Sequence, residues 1–270
     1  MSHSRNPTLP RRPIKTLIIP LLLLAVSCAG GGDTTLRVMA ASSLTEAFED
    51  MATAFGSQNP HVSVKLDFGG SQRLRSQLEF GAKADVFASA DQLQMELLFA
   101  ADLLYGEHSD IAVNTLALIA VKDGPVRTIA DIALPGVRLI LAQGAVPAGS
   151  YSRQLLANLS EDDESELSGS FAEDVLSNLV SEEPNVRNVA QKVALGEVDA
   201  GIVYQTDVLV AQAEGDVRSV PIPAELNVGA RYPIAVMEDS SEKELAQAFV
   251  AFVLSKTGQD ILGDHGFSSP

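Results

Sequence analysis

The sequence predicts an α/β fold of two mainly parallel sheets flanked by helices. Three observations carry that reading. Short apolar runs alternate with amphipathic stretches from Leu36 to the C-terminus, the pattern of strands joined by crossover helices. The 270 residues are 46% hydrophobic and 20% charged, enough apolar content for one large domain or two lobes. Successive strand-to-helix junctions also end in small residues and serines, as they do where an open α/β sheet binds a ligand.

The elements follow in order. "LRVMAA", Leu36 to Ala41, is a strand, and an amphipathic helix opens after Ser42 and Ser43. "HVSVKLDF" alternates, with Val62, Val64, Leu66 and Phe68 on one face of a second strand. "SQRLRSQLEFGA" is a helix with Leu74, Leu78 and Phe80 on its buried side. "ADVFASA" is a short buried strand, and Asp91 caps the helix of "DQLQMELLFAADLL". "TLALIAVK", "VRLILA" and "GIVY" are strands, and Gly196 ends the helix of "NVRNVAQKVALGE". "YPIAVM" is a late strand, followed by the helix "SEKELAQAFVAFVLS" and a short one near "GDHGF". Crossings at "NTLALIAVK" and "RYPIAVM" divide the chain into one lobe of residues 36–113 with about 231–270, and a second of about 114–230.

The N-terminus is a leader rather than part of the fold. Arg5, Arg11, Arg12 and Lys15 precede "TLIIPLLLLAVSC", whose apolar run is short and contains Pro20. A basic region, an apolar region and small residues before a cleavage point make residues 1–27 an export signal. The single cysteine, Cys28, closes it, and "LAVSC" resembles a lipobox, so Cys28 is expected to carry a lipid anchor. Residues 28–35 then form a flexible tether. The chain holds 19 basic and 35 acidic residues. Cleavage removes four basic residues and no acidic one, for a mature charge of about −20. Such a surface repels nucleic acid and anionic lipid headgroups. The acidic run Ser160 to Ser170 reads as a solvated loop.

The chemistry concentrates at the junctions. Ser43-Leu44-Thr45-Glu46 fits a capping box, with Ser43 as N-cap and Glu46 reaching back. Ser71 repeats the arrangement after Gly69 and Gly70, which let the backbone approach a ligand closely. Pro147, Ala148 and Gly149 precede a third helix, Asn185 caps a fourth, and Tyr204 ends a buried strand. Helix N-termini offer free N–H groups and a positive dipole end. Hydroxyls beside them suit a small oxyanion held without a countercharge. No nucleophile elbow, Walker loop or zinc-spaced His/Cys cluster occurs, and the four histidines are scattered, so an enzyme is not expected. Tyr105, Tyr151, Tyr204 and Tyr232 include no adjacent pair, which argues against ferric iron as ligand.

"VMAASSLTEAF", "FGGSQRLRSQLEFGAKADVFASAD", "VPAGSYSRQ", "NVRNVAQKVALGEVDAGIVYQTD" and "GQDILGDHGF" together resemble the molybdate-binding proteins of bacterial ABC transporters. The resemblance spans nearly all of the chain after the leader. It implies a two-lobed type II periplasmic-binding fold, in which two serines, two further backbone amides and a tyrosine hydroxyl hold the ligand. Carried over residue by residue, these are Ser43, Ser71, Ala148, Val186 and Tyr204. The acidic segment looks like an insertion before the fourth position and puts the register of Val186 in question. Molybdenum would be bound only as the oxyanion, with no cofactor. Molybdate is a dianion without a proton to give, so a site made only of donors suits it. Tungstate has nearly the same size and charge, and sulfate would satisfy the same donors. The resemblance further implies a monomer, exported to the periplasm or cell surface, that delivers its ligand to a permease.

Overall fold

The computed structural model describes Met1, His3, residues 34–162, Leu167 and residues 169–270. The leader apart from Met1 and His3, Cys28 and most of the tether lie outside the described residues, as do positions 163–166 and 168 of the acidic segment.

β1 (Thr34–Ala41) pairs in parallel with β2 (Val62–Gly69) and with β3 (Val86–Ala88). β5 (Leu139–Ala142) pairs in parallel with β6 (Leu179–Glu183) and β7 (Ala200–Tyr204). The two groups are joined by long strands that run the other way. β4 (Ser109–Val121) pairs with β9 (Gly229–Val236) up to Thr115, then with β7 and β8 (Val217–Val220) from Leu116 onward. β9 also pairs antiparallel with β3. The resulting order is β2-β1-β3-β9-β4-β7-β5-β6, with β8 beside β4. The pairing is therefore mixed: β4 and β9 take part in every antiparallel pair of these strands. A strand that leaves one set and enters the other need not keep the direction of the crossover units.

The helices cover both faces. They are α1 (Thr45–Gln58), α2 (Ser71–Glu79), α3 (Gln92–Ala100), α4 (Pro147–Glu161) and α5 (Phe171–Ser177). Then follow α6 (Val186–Ala194), α7 (Gln205–Glu214), α8 (Lys243–Leu254) and α9 (Lys256–Asp264). Phe55 of α1 meets Phe249 and Phe252 of α8 edge to face, with centroids 5.3 and 5.6 Å apart. Each buried phenylalanine contributes about 1.5–3 kcal/mol of transfer free energy, so the C-terminal helices are held on α1. A smaller cluster of Met39, Leu74, Leu78, Phe87, Met95 and Leu98 seats α2 and α3.

Three local expectations hold. Asp91 caps α3 by accepting from the Gln94 amide at 3.0 Å. Asn185 caps α6 by accepting from the Asn188 amide at 2.9 Å. Gly196 follows α6 with φ +70°, a conformation that favours glycine. Two fail. Phe80 is 89% exposed rather than buried, because α2 ends at Glu79 and the chain turns before the ring reaches the sheet. The capping box at Ser43 does not form. Ser42–Leu44 is a turn of 3-10 helix and α1 starts only at Thr45, whose hydroxyl donates to the Ser42 carbonyl at 2.7 Å. Glu46 instead pairs with Arg187 at 2.6 Å; a full opposite charge outcompetes a neighbouring amide.

Candidate ligand-binding site

Five strand-to-helix junctions meet around one small cavity of about 10 Å³, lined by Ser43, Ser71, Ala148, Val186 and Tyr204 among others. All five residues singled out in the sequence thus come together; Cys28 lies outside the described residues. The wider cleft beside α2, lined by Arg73, Arg75 and Phe80, includes none of the five.

Each junction brings donors. Ser43 lies in the turn between β1 and α1, buried, with its Oγ 2.9 Å from the Tyr232 hydroxyl. Ser71 is the first residue of α2, and its Oγ accepts from the Ala90 amide at 3.0 Å. The accepted bond leaves the Ser71 hydroxyl proton available to the cavity. Pro147 is the first residue of α4 and Val186 the first of α6. Ala148 is therefore inside the helix rather than in a turn before it. First-turn amides have no intrahelical acceptor, so the amides of Ser71, Ala148 and Val186 are free to donate. Three helix N-termini converge here, adding positive dipole ends.

Tyr204 closes the set from the end of β7. It is 1% exposed, and its hydroxyl has no hydrogen-bond partner among the described residues. A buried hydroxyl without a partner is costly, and this one lines the cavity. Burial, together with nearby negative groups, raises its pKa well above the ordinary tyrosine value, so it remains a donor. Among the described residues, no carboxylate lines the cavity.

Charge is held one layer back. The Arg187 guanidinium reaches Glu46, the Ser42 carbonyl at 3.4 Å and the buried Asp207 at 3.7 Å. Burial pushes the Asp207 carboxyl up to about 6, against the lowering effects of Arg187 and of the Tyr204 amide, which donates to it at 3.1 Å. Arg187 thus links the elements around α1 to those around α6 and α7. A second link runs from the Gln72 side-chain amide to the Pro184 carbonyl, 3.2 Å.

Gly70 sits beneath that second link. A Cβ there would lie 2.5 Å from the Pro184 carbonyl oxygen, although the backbone angles of φ −62° and ψ 131° suit any residue. Gly70→Ala is therefore expected to keep the unliganded melting temperature within a few degrees. It should weaken ligand binding about tenfold or more, because the two sides cannot approach. Calorimetric titration and a melting curve on the same sample check both halves.

Similarity to known proteins agrees with this geometry. The family profile of bacterial extracellular solute-binding proteins matches residues 36–268. The chain belongs to that family. Within it, the molybdate-binding protein ModA of Mycobacterium tuberculosis is 38% identical over 241 residues, covering 88% of this chain and 86% of the relative. The periplasmic molybdate-binding protein of Azotobacter vinelandii superposes with a TM-score of 0.74 at 24% identity, covering 87% of this chain and 99% of the other. The sulfate-binding protein SubI of M. tuberculosis superposes with a TM-score of 0.78 at 18% identity, covering 87% of each. At such identities the two structures speak for the fold alone. The solute-binding protein described here shares their mixed α/β fold.

One member of the site's surroundings escaped sequence reasoning. Tyr232, fully buried on β9, touches Ser43 from 189 positions away. Its only signal was position in the strand "YPIAVM", where a tyrosine on an apolar face needs a polar partner.

Proposed function

We propose that this solute-binding protein captures molybdate outside the cytoplasmic membrane and hands it to an ABC transporter permease. The observation that carries this reading is the Tyr204 hydroxyl, which has no hydrogen-bond partner among the described residues and lies beside two serine hydroxyls and three helix N-termini in a cavity that no described carboxylate lines. Such a site offers donors and no base, which favours an oxyanion that carries no proton. Ser43, Ser71 and Tyr204 would donate through their hydroxyls, and Ser71, Ala148 and Val186 through their amides. The molybdate-binding names of relatives support the choice of anion, and tungstate follows from its similar size and charge.

The remaining assignments belong to the same reading. Residues 36–113 with about 231–270 form one lobe and about 114–230 the other, and the lobes close over the ligand by a hinge motion. Cys28 carries the lipid anchor after residues 1–27 are removed. Among the described residues, no helix is long and apolar enough to cross a membrane. The protein acts as a monomer and catalyses no reaction.

A thermal-shift panel of molybdate, tungstate, sulfate and phosphate tests the anion. A ligand at 100 times its dissociation constant adds about 2.7 kcal/mol. Molybdate and tungstate should both raise the melting temperature at micromolar concentration. A shift with sulfate and none with molybdate would make this a sulfate-binding protein.

A further inference from the structure

We propose that Tyr232 is a positioning residue for the oxyanion: its hydroxyl donates to Ser43 Oγ and so obliges the Ser43 proton to point at the ligand. The proposal rests on the oxyanion reading of the cavity.

The polarity of the Ser43–Tyr232 contact, 2.9 Å, decides what Ser43 can offer. If Ser43 donated to Tyr232, it would present only lone pairs to an anion. The surroundings of Tyr232 favour the other direction. Tyr232 is fully buried, and among the described residues Ser43 Oγ is the one hydrogen-bond partner its hydroxyl has. A Ser43 donor would leave the buried Tyr232 proton without an acceptor, which is costly. The Tyr232 proton therefore turns to Ser43, and Ser43 has only the cavity left for its own.

The ring cannot swing away. Tyr232 is fully buried and meets Tyr204 edge to face at 5.8 Å and Phe267 at 5.3 Å. One side chain therefore sets the hydroxyl direction of Ser43 while packing against Tyr204, the hydroxyl donor on the opposite side of the cavity. Ser71 reaches the same polarity by a different route, accepting from the Ala90 backbone amide. A backbone donor is available there because β3 has just ended; beside Ser43 it is β9, two strands along the sheet from β1, that supplies a side chain instead.

A double-mutant cycle distinguishes positioning from packing. Tyr232→Phe removes the hydroxyl and keeps both ring contacts. Molybdate affinity is measured by calorimetric titration for wild type, Tyr232→Phe, Ser43→Ala and the double variant. Tyr232→Phe should raise the dissociation constant about tenfold in the wild-type background. In the Ser43→Ala background it should raise it less than about twofold, since no hydroxyl is left to direct. An unchanged affinity in wild type, or the same rise in both backgrounds, overturns the proposal. If the wild type bound sulfate and not molybdate, the anion assignment would fail, and the cycle run with sulfate would still decide the role of Tyr232. Binding of neither anion would end both.

Discussion

Replacing Ser43 and Ser71 together by alanine is expected to lower molybdate affinity by two to four orders of magnitude. Each removed hydroxyl is a neutral donor facing a dianion, and a hydrogen bond to a charged group contributes about 1.5–3 kcal/mol. Two such losses sum to about 3–6 kcal/mol if they are independent, and every 1.4 kcal/mol is tenfold. Neither side chain caps a helix, so a large helix-unfolding cost is not expected. The substitutions do strand the Tyr232 hydroxyl and the Ala90 amide, which bond Ser43 and Ser71. The unliganded protein should therefore melt several degrees lower, yet cooperatively. Calorimetric titration with each single variant and the double tests this directly. Unchanged affinity in the double variant would reduce both serines to structural residues.

The second large effect concerns stability and pH. Asp207 is fully buried and its carboxyl is pushed up from 3.8 to about 6 by burial. The folded state then binds a proton more tightly than the unfolded chain does. Protonated Asp207 favours folding below about pH 4, and that contribution is lost as pH rises through 6. Two pKa units correspond to about 3 kcal/mol. Asp207→Asn mimics the protonated form and does not titrate. The variant should resemble wild type in melting temperature at pH 4 and exceed it increasingly up to pH 7. The comparison cancels the titration of the other carboxylates. A difference that stays flat from pH 4 to 7 would show that Arg187, 3.7 Å away, already compensates the charge.

Much of the site was legible because its donors are local features. Gly69-Gly70-Ser71, Pro147-Ala148-Gly149 and Asn185-Val186-Arg187 each mark a helix start by the residue types such starts require. What sequence could not show was competition from distant residues. Ser43 and Glu46 have the spacing of a capping box, but Arg187 takes Glu46 and Tyr232 takes Ser43. Both partners arrive only when the chain has folded. The fold was legible where strands are buried and apolar. β6 reads "LVSEE", half-exposed at the edge of its sheet, and β8 spans only Val217–Val220; neither carries enough apolar alternation to stand out. Antiparallel β4 and β9 were visible as strands, whereas their direction depends on pairing with residues far along the chain.

The most direct measurement is the anomalous difference map of a molybdate-soaked crystal, collected at the molybdenum edge. The account predicts one strong peak in the cavity, within hydrogen-bond reach of the oxygens' donors on Ser43, Ser71 and Tyr204 and the amides of Ala148 and Val186. A peak elsewhere on the molecule, or none at saturating molybdate, would contradict it.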